Sequence, residues 1–439
     1  MSPEEKYADY FSAHKRCGEA ANFIMKPKVA MIFSQFPCYD EVFILREMAA
    51  LDRLLDLTIF SMKKSGKDPV RHSLSGPLLG KTIYSNFLLS SKLIAANLKY
   101  LVTSPRRYID TLFQVLMMNR GDREFLLKTV ALFPQAVLFA SICRERGIDF
   151  VHGQWATYPA STAFIISRLN DIPFSFTGHA HDIYVKTAGL REKLNHAVHV
   201  ITCTGDNKRY LSLLAPEIDP GKIKVIYHGL DIGIYHLKAD SETSREKREM
   251  APESGQKTFN IISVGSLFEC KGFEYLIEAC RILAEENFSF HCRIVGGGYL
   301  EEQLRQMVRD KKLNDYITFT GYQAQDEMAD HYRWANFFVL PAVLKIHWGI
   351  PNVLLESLAV GVPVACTALP SLPELITDPD CGFTIPEKDP RAIAELVKKV
   401  SSDPELMGKY GRAGRKKIED NWDIDKTSRR IAGLFIGEK

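Results

Sequence analysis

The chain has 439 residues, 46% of them apolar, 25% charged and 10% aromatic, a balance that excludes disorder, collagen-like repeats and coiled coil and suits two or three globular domains. Lys and Arg outnumber Asp and Glu by only 56 to 53, a net charge of +3, too even for a protein built to hold nucleic acid. The most apolar stretch, 130–142, runs 13 residues and includes Pro134 and Gln135, short of the roughly 20 that a bilayer crossing needs. Residues 1–27 carry Glu4, Glu5 and Lys6 and hold no continuous apolar core, so no signal peptide is expected. Nine cysteines, an odd number without a C-x-x-C pair, fit a reducing cytoplasm better than a disulfide framework.

In chain order, short apolar runs rich in β-branched residues predict strands at 28–34, 55–62, 149–155, 174–181, 199–204 and 224–229. Five more follow at 259–265, 290–296, 316–321, 336–343 and 362–367. Most are continuous rather than alternating, as strands buried on both faces of a parallel sheet are. Helical periodicity between them predicts two doubly wound α/β domains, whose ligands bind outside the carboxyl ends of the strands. The charged, apolar-poor stretch 237–257 reads as a linker. From Ser61 to Arg146 the balance shifts: fourteen Lys and Arg face five Asp and Glu, a local net charge of +9. Lys92, Lys99, Arg106 and Arg107 lie within or between the apolar stretches 88–102 and 108–118. This segment predicts a basic helical insertion at about 82–130, either docked on an anionic membrane or a solvated helical layer.

Three stretches in the second half carry chemistry. After the strand ending at Val264, the turn Gly265-Ser266-Leu267-Phe268-Glu269-Cys270-Lys271-Gly272 sets a lysine at the mouth of a sheet, where it can clamp phosphate. A second glycine turn, Gly296-Gly297-Gly298, lacks the complete dinucleotide fingerprint. The third is Trp348-Gly349-Ile350-Pro351-Asn352-Val353-Leu354-Leu355-Glu356. Here Asn352 is expected to cap a helix whose first amides and dipole favour an anion. Glu356, one turn in, can accept hydrogen bonds from two neighbouring hydroxyls, as on a ribose. Metal signals are thin: His179 and His181 form the one H-x-H pair, and Asp378/Asp380 and Asp423/Asp425 read as solvated turn acids, so no metal is expected.

The third stretch resembles the nucleotide-sugar signature of family 4 glycosyltransferases, the retaining enzymes of the GT-B fold. The resemblance runs from about Lys28 to Phe435. It includes Leu372-Pro373-Glu374-Leu375 and Cys381-Gly382-Phe383-Thr384-Ile385-Pro386. In the first half, Phe36-Pro37 through Phe43-Ile44, Thr157-Tyr158-Pro159-Ala160 and the run from Phe176 to Tyr184 are similar to bacterial exopolysaccharide enzymes of the colanic-acid type. Two positions depart from the family pattern: Trp348 stands where an acid is usual, and Ser266 where an Arg is usual.

The resemblance implies an α/β fold of GT-B type, with two Rossmann-like domains facing across a cleft. It implies an acceptor domain at 1–235, a donor domain at 236–415 and a C-terminal helix at 416–439 crossing back. The implied activity transfers a hexose from a nucleoside diphosphate sugar to a hydroxyl of a saccharide or lipid-linked acceptor, with retention and without a metal. His179 would be catalytic, beside the donor sugar. Gly265, Ser266, Lys271, Trp348, Gly349, Ile350, Asn352, Val353, Leu354 and Glu356 would bind the donor, and Glu41 and His181 the acceptor. The expected setting is cytoplasmic, peripheral at the inner face of the membrane, with no nucleic acid partner. A nucleotide-sugar-binding subunit impaired in catalysis and a GT-B epimerase are the alternative readings.

Overall fold

A computed structural model of the chain describes residues 26–38, 41–64, 74–85, 90–237, 258–344, 349–377 and 380–437. The expected linker at 237–257 lies almost wholly outside them. The chain forms two compact units: residues up to Gly229 together with those from Ile424 onward, and Leu230–Asp423.

The first unit is built on a seven-stranded sheet in the order β3-β2-β1-β4-β5-β6-β7. Its strands are β1 (Lys28–Gln35), β2 (Asp56–Lys63), β3 (Thr82–Tyr84), β4 (Phe150–Gln154), β5 (Phe174–Gly178), β6 (His199–Thr202) and β7 (Ile223–Val225). Every pairing is parallel, as the unbroken apolar runs foretold: Val29 to Ile32 and Val151 are wholly buried. The order reverses between β1 and β4, so the loops after these strands diverge and leave room above the sheet.

Thr82–Tyr84, expected to open the helical insertion, is instead an edge strand on β2; three residues are too few to show a period. The helices that follow have readable ends. Ser90 caps Ser91–Thr103 by accepting from the Leu93 amide at 3.2 Å, Pro105 opens Pro105–Asn119, and Asp122 caps Arg123–Arg146 at 2.9 Å. Gly147, at φ 64°, ends the last of these. Among the described residues Arg123–Arg146 is the one helix long and apolar enough to cross a membrane, but half of its apolar window is buried. Phe133, Val137, Phe139 and Ala140 belong to the core of the unit.

The second unit carries a six-stranded parallel sheet, β10-β9-β8-β11-β12-β13. These strands are β8 (Phe259–Val264), β9 (Phe290–Val295), β10 (Ile317–Phe319), β11 (Phe337–Leu340), β12 (Val364–Thr367) and β13 (Gly382–Ile385). Its order reverses between β8 and β11.

The C-terminal helices divide later than the sequence suggests. Pro404–Asn421 stays with the second unit, where Arg415 donates to the carbonyls of Ala359, at 2.6 Å, and Tyr235. Ile424–Phe435 alone joins the first unit. Its Arg430 donates to the Val225 carbonyl at 3.0 Å. Its Ile431, Ala432 and Phe435 pack with Val29, Met31 and Phe33 of β1. Phe435 lies 5.0 Å, ring to ring, from Phe150. Replacing Phe435 by Ala should remove about 3–5 kcal/mol from the first unit, measured by guanidinium denaturation. A loss below about 1 kcal/mol would mean that the terminal helix is not part of this core.

Candidate functional site

In the second unit the glycine turns at the ends of β8 and β9 are zipped together. The Gly265 amide donates to the Val295 carbonyl and the Leu267 amide to the Gly297 carbonyl, both at 3.0 Å. Gly296, at φ 133°, lies so close to Gly265 that a Cβ there would stand 2.0 Å from its carbonyl oxygen. Gly272, at φ 65°, leaves the same clearance to the Pro341 carbonyl after β11. Only glycine fits at either point. The Lys271 side chain runs along the bare face of Gly265, and burial pushes its pKa down. An enclosed ammonium of this kind is stabilised by a bound anion.

The helix Asn352–Ala359 begins with Pro351 in the N-cap position. Asn352 is therefore its first residue, not the expected cap: Pro351, with φ at −65°, already supplies the extended entry, and its carbonyl accepts the Leu354 amide at 3.0 Å. Gly349, at φ 80°, turns the chain into this helix. Ile350, Asn352 and Val353 are half-buried and Leu354 buried. Glu356 is buried and accepts the Tyr332 hydroxyl at 2.8 Å, which fixes one of its oxygens. Ser266 is exposed. Trp348 lies outside the described residues, as does Asp378.

In the first unit, aromatic and imidazole rings and one cysteine collect beyond the ends of five strands. His179 follows β5, with its ring 4.2 Å from Trp155 after β4 and 5.7 Å from Phe43 after β1. It stacks on His228, which follows β7, at 5.1 Å and 17°. The His179 Nδ1 lies 3.3 Å from His228 Nε2. Cys203, after β6, donates to the His179 carbonyl at 3.5 Å. The His179 Nε2 is buried and meets no partner among the described residues.

Buried charges hold this loop. The Asp182 carboxylate accepts the amides of Ala156, His179 and Ala180 at 2.7, 3.0 and 2.9 Å. Desolvation still outweighs those bonds and raises its pKa. Lys193, with no exposed surface, donates to the Ala156 carbonyl; burial brings its pKa down to about 7. Each hydrogen bond to such a charged group is worth about 1.5–3 kcal/mol, so the pair fixes the turns bearing Trp155 and His179.

Sequence reading found His179 but not its companions. Cys203 and His228 are 24 and 49 residues away in the chain, and only the parallel order of β5, β6 and β7 joins them. The available signal was positional, since Cys203 lies at the C-terminal end of the predicted strand 199–204 and His228 at that of 224–229, although the observed strands stop short of both. His181 is exposed at the start of the His181–Tyr184 helix. Glu41 is half-buried and precedes the helix Val42–Leu54 that carries Phe43. His152 packs: its Nδ1 meets Ser175 at 2.7 Å and its Nε2 meets Thr177 at 3.0 Å. Asp425 is bridged to Arg53 at 2.5 Å.

The comparisons agree with this architecture. The pattern described as Glycosyl transferases group 1 matches residues 244–417, and that described as Glycosyltransferase Family 4 matches residues 105–233. The chain belongs to the family 4 glycosyltransferases of the GT-B fold. It is similar to the putative colanic acid biosynthesis glycosyltransferase WcaL of Escherichia coli, 34% identical over 40% of this chain and 44% of that protein. The amylovoran biosynthesis glycosyltransferase AmsK of Erwinia amylovora is likewise 34% identical, over 40% and 44%. The matched region thus spans under half the length of either relative. Among solved structures, a glycosyltransferase from Rickettsia africae shares the fold at a TM-score of 0.66, with 17% identity over 94% of this chain and all of that one. Anabaena HepE in complex with UDP does so at 0.67, with 14% identity over 94% and 100%.

Burial pushes the pKa values of His152 and His179 down to about 3 and that of His228 down as well, so all three rings are neutral at pH 7. A depressed histidine stabilises the fold above its unfolded pKa, and that stability is lost as pH falls. Unfolding free energy should therefore decline below about pH 6.5, by up to roughly 1.4 kcal/mol per pH unit for each ring. Denaturant melts from about pH 7 to pH 4.5 should show a shallower decline for His228→Gln than for wild type. Parallel curves would contradict the burial of that ring.

Proposed function

We propose that the protein transfers a hexose from a nucleoside diphosphate sugar to a hydroxyl of a saccharide or lipid-linked acceptor, with retention and without a metal. The observation that carries this reading is the second unit's glycine-turn pair at the ends of β8 and β9, with Lys271 lying against Gly265 and Gly272 meeting the Pro341 carbonyl where the strand order reverses between β8 and β11. Lys271 and the first amides of Asn352–Ala359 would stabilise the departing diphosphate. Glu356, held by Tyr332, would accept the ribose hydroxyls. Neutral His179 would hydrogen-bond the sugar rather than neutralise charge. UDP in HepE and the polysaccharide pathways named for WcaL and AmsK favour a nucleotide-sugar donor and a role in exopolysaccharide or lipopolysaccharide synthesis.

The acceptor reading rests on the basic helices, and it places the protein in the cytoplasm, at the inner face of the membrane. Ser91–Thr103 buries Leu93, Ala96 and Tyr100 but leaves Ile94, Leu98, Leu101 and Val102 exposed. Pro105–Asn119 likewise exposes Ile109, Phe113, Leu116 and Met117. Each set follows i, i+4, i+7, i+8, so each helix carries a second apolar stripe turned to the outside. Arg106, Arg120 and Arg123 are exposed and make no ion pair among the described residues. Outward apolar stripes beside exposed cations suit an anionic lipid surface, where each cation contributes about 1 kcal/mol.

The decisive assay follows release of nucleoside diphosphate from a panel of nucleotide sugars, in EDTA, with and without lipid-linked acceptor. Turnover should survive the chelator, and none with any donor would sink the reading. Loss of two charge-assisted bonds should make nucleoside diphosphate bind at least about tenfold more weakly to Glu356→Ala by calorimetry. Lys271→Ala should weaken the diphosphate more than the monophosphate. For the membrane, the protein should sediment with anionic vesicles in low salt and be released as salt rises. The double variant Arg106→Glu with Phe113→Ser should stay in the supernatant while binding nucleotide normally; equal sedimentation of both proteins would refute the docking face.

A further inference from the structure

We propose that His179, Cys203 and His228 form a three-ligand site for a zinc-type divalent cation, one that shares His179 with the proposed transfer site. A ligand nitrogen of each ring and the Cys203 sulfur lie within 4.8 Å of one another. Tetrahedral bonds of about 2.0–2.1 Å put two nitrogen ligands roughly 3.3 Å apart, and His179 Nδ1 and His228 Nε2 are separated by 3.3 Å. The donor set is two imidazoles and a thiol, the chemistry of zinc and cobalt rather than of magnesium or calcium, which take oxygen.

The scaffold is rigid. The three residues follow β5, β6 and β7, adjacent strands of one sheet, and the Asp182 carboxylate pins the His179 turn. Phe43 walls both rings, its centroid 4.3 Å from that of His228. The Asn207 side-chain amide donates to Cys203 Sγ at 3.6 Å, an outer-shell support for that ligand. On binding, Cys203 releases its proton to solvent, and the cation takes the place of the proton shared between the two rings. His179 then carries its own proton on Nε2. Three protein ligands leave one coordination position open.

The site follows from the first unit alone, so its test does not depend on the glycosyl-transfer reading. The full-length protein is titrated with Co²⁺ under reducing conditions and its near-ultraviolet spectrum recorded, because a cysteine thiolate bound to Co²⁺ gives a charge-transfer band there. A band should grow to one equivalent, be displaced by Zn²⁺ and ignore Mg²⁺. It should vanish in Cys203→Ser and weaken in His228→Gln, with unchanged far-ultraviolet dichroism; Cys203→Ala replaces the serine variant if that one fails to fold. Absence of a band overturns the proposal. So does a band that survives loss of Cys203, which would come from another cysteine. A band indifferent to His228→Gln overturns it too, since the site would then lack its third ligand.

Discussion

A parallel sheet cannot be closed by hairpins, and that constraint organises both units. Each strand must return to the same end of the sheet through a crossover, so all the loops after the strands gather along one edge. In the first unit this edge collects Trp155, His179, Cys203 and His228 from four separate loops and Phe43 from the first turn of the helix after β1. In the second it collects the two glycine turns and the segment after β11. Chemistry accumulates there because connectivity leaves no other place for it.

What holds each edge differs. In the second unit, backbone meets backbone: Gly272 against the Pro341 carbonyl and Gly296 against the Gly265 carbonyl leave no room for a side chain. In the first, buried polar groups set the loops, with Asp182 accepting three amides and Lys193 one carbonyl. Glu47, buried beside Gln154, is pushed up to about 7 by the same desolvation. Such groups stabilise little on balance, since desolvation offsets most of their attraction. Breaking one partner is nevertheless expensive, and this fixes a single loop geometry.

The basic helices show burial and exposure competing within one element. Ser91–Thr103 and Pro105–Asn119 satisfy the core with one stripe and still turn aliphatic and aromatic residues outward. A solvated helical layer needs only the first stripe. The second is what gives the membrane reading its physical basis.

The sequence by itself determined the fold class, because unbroken apolar strands such as Val29–Phe33 are compatible only with sheets covered on both faces. It also marked Lys271, Glu356 and His179, each carried by a local run of residues. It misplaced the cap of the Asn352 helix and the start of the insertion, where single residues and three-residue strands carry too little pattern to read. Tertiary structure alone decided that His179 stacks on His228 with Cys203 beside them, that Tyr332 holds Glu356, and that only the last helix returns to the first unit. These pairings join residues far apart in the chain, and no local periodicity records which strand ends a parallel sheet will bring together.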